Sequence, residues 1–269
     1  MIIILTQCFP SRLGGIESLV SNLALGLGKK KKVIVFADRH HLFYDAIYDN
    51  QYKAQIIVRR TGGLKFFRRR KKIRELKPFI ESNQVKLVIA DTWKSLELSI
   101  DLLNKKNIST ICLAHGNELL FSHPKKSQRI IKIFNSASSI IANSQFTLNL
   151  VEKLIADKDH IKFVYPGAND LRQIQSDKFM DIKGNPVLLT LARLEKRKGH
   201  AVILKAVKEL TSDFPLIQYL IAGTGSEMSN LQRFINREDP ILETSVEDTV
   251  NTMKLIDALM KSKDNFYKI

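Results

Sequence analysis

Four short stretches hold residue types that can handle a phosphorylated or hydroxyl-rich ligand. Ala114-His115-Gly116-Asn117-Glu118 follows the apolar, strand-like run Thr110 to Ala114. Ligands of open α/β sheets bind beyond the carboxyl ends of strands. A histidine there can bond a sugar hydroxyl or move a proton near neutral pH; one satisfied by its own neighbours fits the same spacing. Arg193 and Lys198 lie in Leu191-Ala-Arg193-Leu-Glu-Lys-Arg-Lys198-Gly199-His200, between a strand-like run and a helical pattern. Two cations beside the free N–H groups of a helix start can neutralise a departing diphosphate, although charge alone fits a solvated basic loop as well. Gly14 and Gly15 stand in Phe9-Pro-Ser-Arg-Leu-Gly-Gly-Ile-Glu17, where missing side chains let a ligand approach the backbone. A tight turn would use the same glycines, and neither GxGxxG nor a P-loop is present. Gly223-Thr-Gly225 forms a further turn after Ile217 to Ala222. No His/Cys ligand cluster marks a metal site.

The elements that must position these residues alternate. Strand candidates are Ile2 to Thr6, Val33 to Ala37, Ile56 to Val58, Leu87 to Ala90, Thr110 to Ala114, Ser139 to Ala142, Ile161 to Val164, Val187 to Leu191 and Ile217 to Ala222. Helical periodicity falls between them. Ile16 to Leu27 presents Ile16, Leu19, Val20, Leu23 and Leu27 on one apolar face, and Leu64 to Ser82 is a basic helix, either continuous or broken at Pro78. Further helices are expected at Leu96 to Leu103, Gln128 to Phe134, from an N-cap at Ser144 to Ile155, His200 to Leu210, and from Met228 to Ile235. Strict alternation with near-continuous apolar strands implies parallel sheets covered by helices. The polar stretch Asn169 to Asn185 divides two such series, hence two Rossmann-like halves.

Bulk properties limit the class. The 269 residues are 44% hydrophobic with a mean hydropathy of −0.11, enough for a core. No apolar run approaches the ~20 residues of a spanning helix, and no basic n-region precedes an apolar stretch. Cys8 and Cys112 are too few for a disulfide framework and read as buried thiols, which fits the cytoplasm. A net charge of +16 favours an anionic partner without choosing one.

Six motifs stand in order: FPxxxGGIE, AHGNE, ANSQFT (Ala142 to Thr147), VYPGAND (Val164 to Asp170), ARLEKRKGH and IAGTGSE (Ile221 to Glu227). Their order and spacing resemble the retaining group 1, or family 4, glycosyltransferases. The resemblance implies an α/β fold of the two-Rossmann GT-B type. It implies an acceptor-side domain over 1–170, a linker over 171–185, an incomplete donor-binding half over 186–235 and an atypical helical tail over 236–269. It implies a hexosyltransferase moving sugar from a nucleoside diphosphate to a glycan or lipid-linked acceptor with retention, in cell-envelope polysaccharide synthesis. The nucleotide sugar is then substrate, no cofactor or metal is needed, and the place of work is the cytoplasm or the inner membrane face. By resemblance, His115 lies near the reacting sugar, Gly14 and Gly15 face the donor phosphates, Arg193 and Lys198 hold the diphosphate, and Gly223 and Gly225 line the nucleotide side. Pro166-Gly167 matches the end of the first domain, with the family's aspartate one place late at Asp170.

The pattern departs from the family after Phe234. The EGFG-like segment and its second glutamate are missing. A capping box, Ser245 with Asp248, opens a helix with Val246, Val250, Met253, Ile256 and Leu259 on its apolar face. These last ~30 residues loosely resemble the C-terminus of Gfo/Idh/MocA-type sugar oxidoreductases; a divergent helix packing on the first domain is the alternative. A second half with two clear strands leaves apolar faces uncovered. A truncated donor half, low activity and a covering partner subunit are therefore expected, or else a non-catalytic remnant that binds sugar nucleotide or membrane.

Lys65-Phe66-Phe67-Arg68-Arg69-Arg70-Lys71-Lys72 opens the basic helix. It fits a patch on an anionic membrane, the phenylalanines dipping into the interface, or a solvated face. No helix-turn-helix, zinc-finger or RNP motif supports a specific nucleic-acid partner.

Overall fold

The computed structural model describes residues 1–120, 123–167 and 183–237. The chain divides into two compact units, Met1–Asp170 and Leu171–Ile269.

The first unit is built on a seven-stranded sheet, parallel throughout: β1 (Ile2–Leu5), β2 (Val33–Asp38), β3 (Ile57–Thr61), β4 (Leu87–Ala90), β5 (Ser109–Ala114), β6 (Ser139–Ala142) and β7 (Ile161–Phe163). The spatial order is β3-β2-β1-β4-β5-β6-β7. The chain winds one way from β1 and then the other, so the order reverses between β1 and β4. Ligands of such sheets enter beyond the carboxyl ends at that reversal. Strands buried on both faces carry no alternation, and Ile3, Ile4 and Leu5 are all essentially inaccessible. They join Phe36, Val88, Trp93, Cys112 and Phe134 among the most deeply buried side chains.

The helices of this unit are α1 (Gly15–Gly28), α2 (Leu42–Gln51), α3 (Lys65–Glu81), α4 (Trp93–Leu96), α5 (Ile100–Lys105), α6 (Pro124–Ser136) and α7 (Gln145–Glu152). Ser144 caps α7, accepting from the Thr147 N–H. Helix α3 runs through Pro78 to Glu81, with Leu76 and Ile80 fully buried on either side of the proline. Two differences from the sequence reading have physical causes. The single helix expected over Leu96 to Leu103 is split into α4 and α5. Ser99, fully buried, bonds back to the Leu96 carbonyl through both its hydroxyl and its N–H. Helix α1 buries Glu17, Val20, Ser21 and Ala24, so its inner stripe is offset from the expected leucine face.

Helix α2 was not foreshadowed, because its pattern is inverted. It buries Asp45 and Tyr48 and leaves Leu42, Phe43 and Ile47 exposed. Asp45 accepts from the Ser11 hydroxyl at 2.7 Å and from the backbone N–H groups of His40 and His41. Arg60 of β3 reaches Asp49 at 2.7 Å, lies 3.6 Å from Asp45 and donates to the Pro10 carbonyl. Burial alone would raise the Asp45 carboxyl; the Ser11 and His40 bonds and the Arg60 charge outweigh it and hold it below the ordinary value.

The second unit has a two-stranded parallel sheet, β8 (Val187–Leu191) and β9 (Gln218–Ala222), with α8 (His200–Leu210) and α9 (Met228–Arg237). Leu194, Leu204 and Leu231 form its small core, packed by Phe234 and Ile235. Val187, Leu189 and Leu191, alternate residues of β8, are exposed. Most of the expected linker and the tail with its Ser245–Asp248 box lie outside the described residues.

Candidate functional site

In the first unit, the sheet reversal is lined with polar groups. Thr6, just past β1, donates its hydroxyl to Asp91 Oδ2 at 2.7 Å, and the Gln7 N–H donates to the same oxygen at 3.1 Å. The Asp91 carbonyl takes a 2.7 Å bond from His115 Nε2. A carbonyl only accepts, so Nε2 carries the proton and Nδ1 is an acceptor. Asn143, just past β6, fills it with its amide at 3.3 Å. The amide oxygen of Asn143 accepts from the Thr147 hydroxyl at 3.0 Å, and Thr147 lies 2.9 Å from the Ser144 hydroxyl. The His115 N–H is held at 2.8 Å by Glu118 Oε1. One directed chain of bonds thus runs across the carboxyl ends of β4, β5 and β6 and fixes the imidazole tautomer. Gly116, at a left-handed φ of 89°, makes room for it; a Cβ there would stand 3.0 Å from the Thr147 oxygen.

His115 and Gly15 line one cavity of about 500 Å³. Asn143, Pro166 and Gly167 share its wall, and Leu19, Leu113, Ile141 and Val164 make its apolar part. A Cβ added at Gly15 would meet nothing within 4 Å. The space before this glycine is therefore open to a ligand and is not consumed by packing. Gly14 is the helix cap, in extended conformation.

The predicted residues of the second unit lie at the carboxyl ends of its two strands. Arg193 and Lys198 are both exposed, and Lys198 closes a 3-10 turn immediately before α8. Arg193 lies 3.7 Å from Glu195, itself bonded to Arg197 at 2.7 Å. His200, buried at the start of α8, bonds the Arg193 carbonyl at 3.1 Å. Gly223 and Gly225 have a packing reason for being glycine. A Cβ at Gly223 would collide with the Ala192 carbonyl, and one at Gly225 with the Leu194 carbonyl. Bonds from Leu194 N–H to Thr224 and from Glu227 N–H to Leu194, both 2.9 Å, draw the two loops together. The glycine pair therefore sets the position of the Arg193 loop.

The basic run at the start of α3 divides in two. Lys72 does not belong to a surface patch: it is buried, its ammonium held by the Thr6 carbonyl and by Asp38 at 2.6 Å. Arg68 turns toward Asp38 at 3.5 Å, and Arg69 pairs with Glu97 at 2.6 Å. These three face inward because the helix start packs over the carboxyl ends of β1 and β2, where free carbonyls and Asp38 gather. Phe67, Arg70 and Lys71 face outward; the side chains of Lys65 and Phe66 lie outside the description.

Sequence reading assigned no role to Asp91, Asn143, Thr147 or His200. Asn143 and Thr147 lay inside a quoted motif; the signal was their place just after a strand. Among the described residues no three His, Cys, Asp or Glu side chains gather to hold a metal, and no helix is long and apolar enough to cross a membrane. Cys112 is fully buried, which pushes its thiol well up. Cys8 is half-buried; burial and then the Asp91 carboxylate raise it to about 11.

The family profile described as Glycosyltransferase Family 4 matches residues 13–171, and that of Glycosyl transferases group 1 matches residues 172–267. The second match runs through the tail that was likened to the oxidoreductases. A mannosyltransferase of Corynebacterium glutamicum, GDP-mannose-dependent and acting on a monoacylated phosphatidylinositol monomannoside, is 22% identical over 95% of this chain and 70% of its own length. Among solved structures, Anabaena HepE in complex with UDP and glucose superposes with a TM-score of 0.67 at 17% identity, covering 88% of this chain. Sucrose-phosphate synthase of Thermosynechococcus elongatus gives 0.67 at 16% identity over 88% of this chain. The chain spans 66% and 68% of the length of those two structures, which share its two-Rossmann α/β fold. By the match over most of its first unit and the continuing match beyond it, the chain belongs to glycosyltransferase family 4 of the group 1 glycosyltransferases.

Proposed function

We propose that the chain transfers a glycosyl group from a nucleoside diphosphate sugar, with retention, to a lipid-linked or glycan acceptor of the cell envelope. The observation that carries this reading is the meeting of Gly15 and His115 at one cavity. The two come from motifs far apart in sequence, and Gly15 has open space before it that packing does not require. The cavity's mostly apolar wall, with Ser18, Asn22, His115 and Asn143 as polar points, offers a ligand apolar surface with a few positions for hydrogen bonds.

His115 acts here as a fixed contact and not as a free base, since both ring nitrogens are bonded within the protein. In the second unit, Arg193 and Lys198 stand where a strand end meets a helix start. There they supply positive charge to the diphosphate as the bond from sugar to phosphate breaks, the moment at which its charge rises. The mannosyltransferase relative acts on a lipid-anchored acceptor by its name, which supports the lipid-linked class. The exposed face of β8 favours a second reading, in which the chain binds donor without turning it over.

The test is product release from a panel of UDP- and GDP-sugars by the purified chain, with and without a lipid-linked acceptor, beside calorimetric binding of UDP and GDP. Turnover lost on Arg193→Ala and Lys198→Ala supports transfer. Nucleotide binding without release from any donor selects the second reading, and absence of both overturns the proposal.

A further inference from the structure

We propose that His200 is a positioning residue: its buried imidazole closes the loop from Arg193 to Gly199 and sets the spacing of the two cations that the loop carries. This deepens the donor half of the proposed reaction and rests on that reading for its purpose.

The loop leaves the end of β8 and returns at the start of α8. Of residues 192–200, Leu194 and His200 alone are buried, and both Arg193 and Lys198 are exposed. Leu194 anchors the near end. Its side chain enters the small core with Leu204 and Leu231. Its N–H donates to the Thr224 carbonyl and its carbonyl accepts from the Glu227 N–H, both at 2.9 Å. His200 anchors the far end. Its ring is 2% exposed, and Nε2 lies 3.1 Å from the Arg193 carbonyl oxygen. That oxygen also accepts from the Glu195 N–H at 2.9 Å. Both of its lone pairs are then engaged, which fixes the peptide plane that follows Arg193. Gly199, between the cations and the helix, has a left-handed φ of 70°, and a Cβ there would meet nothing within 4 Å. Packing does not hold the turn at that point, so the His200 ring supplies the tie across the loop.

The second ring nitrogen shows that packing alone does not account for a histidine here. A carbonyl only accepts, so Nε2 carries the proton and Nδ1 is an acceptor. Nδ1 is buried and meets no donor, and an unmatched buried acceptor costs stability. A leucine would fill this first position of α8 without that cost. What the imidazole adds over leucine is the bond from Nε2 to the Arg193 carbonyl. Local rules are broken in this way where a site needs the group. The benefit falls on the cations. Arg193 and Lys198 carry long, exposed side chains five positions apart. Fixing their backbones relative to one another before a ligand arrives removes part of the ordering that a diphosphate would otherwise impose on binding. A nucleoside without phosphates gains nothing from it.

The experiment compares the full chain with His200→Leu, which fills the site without a donor, and with His200→Gln, which offers an N–H in place of the one on Nε2. Amide hydrogen exchange over residues 192–200 is followed without ligand, and affinities for UDP, GDP, uridine and guanosine are taken by calorimetry. His200→Leu is expected to melt no lower than the parent and to exchange about threefold faster or more across the loop. It is expected to bind the diphosphates about tenfold more weakly, with nucleoside affinity unchanged. His200→Gln is expected to stay within about threefold of the parent in both measurements. Parent-like exchange or parent-like diphosphate affinity in His200→Leu overturns the proposal. So does equal weakening of nucleoside and diphosphate, or a His200→Gln as impaired as His200→Leu. Should His200→Leu melt early, His200→Met, whose flexible chain adapts to the site, replaces it under the same criteria. A parent that binds neither diphosphate fails the proposed function. Exchange then decides the tie alone: a loop loosened in His200→Leu and restored in His200→Gln retains it, and an unchanged loop overturns it.

Discussion

The side-chain amide of Asn143 donates to Nδ1 of His115, and that single bond decides what the histidine can do. With Nε2 committed to the Asp91 carbonyl, Asn143 completes the ring's bonding at 3.3 Å and ties it to Thr147. Truncating Asn143 to alanine leaves Nδ1 and the Thr147 hydroxyl without this partner and frees the ring to rotate or change tautomer. Under the proposed function, Asn143→Ala is expected to lower kcat about tenfold, equivalent to about 1.4 kcal/mol, with little change in donor KM. Steady-state kinetics check this. A variant that raises KM and spares kcat would place Asn143 in ground-state binding instead.

How much of this was legible beforehand depends on which physical signal each element carried. The strands from β4 to β6 were readable almost to the residue, because burial on both faces writes a near-continuous apolar run, and β8 was readable from an apolar run of the same kind although one of its faces is exposed. The positions of His115 and Arg193 past strand ends were readable because they closely follow such runs, and that of Gly14-Gly15 because it opens the next helical pattern. Helix α2 was hidden, since its apolar residues mark its outer face and Asp45 its inner one. Lys72 was misread for a related reason: in a run of cations, nothing local distinguishes the one that meets Asp38 and the Thr6 carbonyl. The Asn143 and His200 contacts join residues that are brought together only by the sheet order or by a loop closure, and single-sequence pattern does not encode either.

Arg193 and Lys198 are exposed, so their removal is expected to leave stability within about 0.5 kcal/mol of the parent. If they meet the donor diphosphate, each alanine variant should weaken nucleotide diphosphate binding about ten- to hundredfold, the 1.5–3 kcal/mol of a charge-assisted bond. Affinity for the nucleoside without phosphates should not change. Calorimetric titration with UDP, GDP, uridine and guanosine reads this directly; equal losses on nucleoside and diphosphate would remove the pair from the phosphate site.

Two glycines should answer the same substitution in opposite ways. At Gly15 a methyl meets no atom within 4 Å, and alanine is the better helix former by about 0.8–1 kcal/mol. Gly15→Ala is expected to leave the melting temperature unchanged or raise it, and to raise donor KM because the methyl occupies ligand space. At Gly223 the methyl collides with the Ala192 carbonyl. Gly223→Ala is expected to destabilise the second unit by about 1–3 kcal/mol, as overpacking does, and to displace Arg193 with it. Denaturant unfolding beside kinetics separates the two. A destabilised Gly15→Ala with unchanged KM would return that glycine to the role of a tight turn.

Asp45 should make stability depend on acid. Its folded carboxyl lies below the ordinary value, burial being outweighed by the Ser11 and His40 bonds and by Arg60. Its charged form therefore stabilises the fold fully above the unfolded value of about 3.9, and that contribution is lost as pH falls through the lower folded value. Asp45→Asn keeps the size and one acceptor but removes the charge beside Arg60, whose side chain is 6% exposed. At pH 7 the variant is expected to be about 1–3 kcal/mol less stable, the range for bonds to a charged group, and the gap should narrow as the parent is titrated below about pH 4. Urea unfolding of both proteins from pH 7 to pH 3 measures it. A gap constant across that range would mean the Asp45 charge is not what holds the Ser11 loop to α2, and the buried contact would then be one of shape alone.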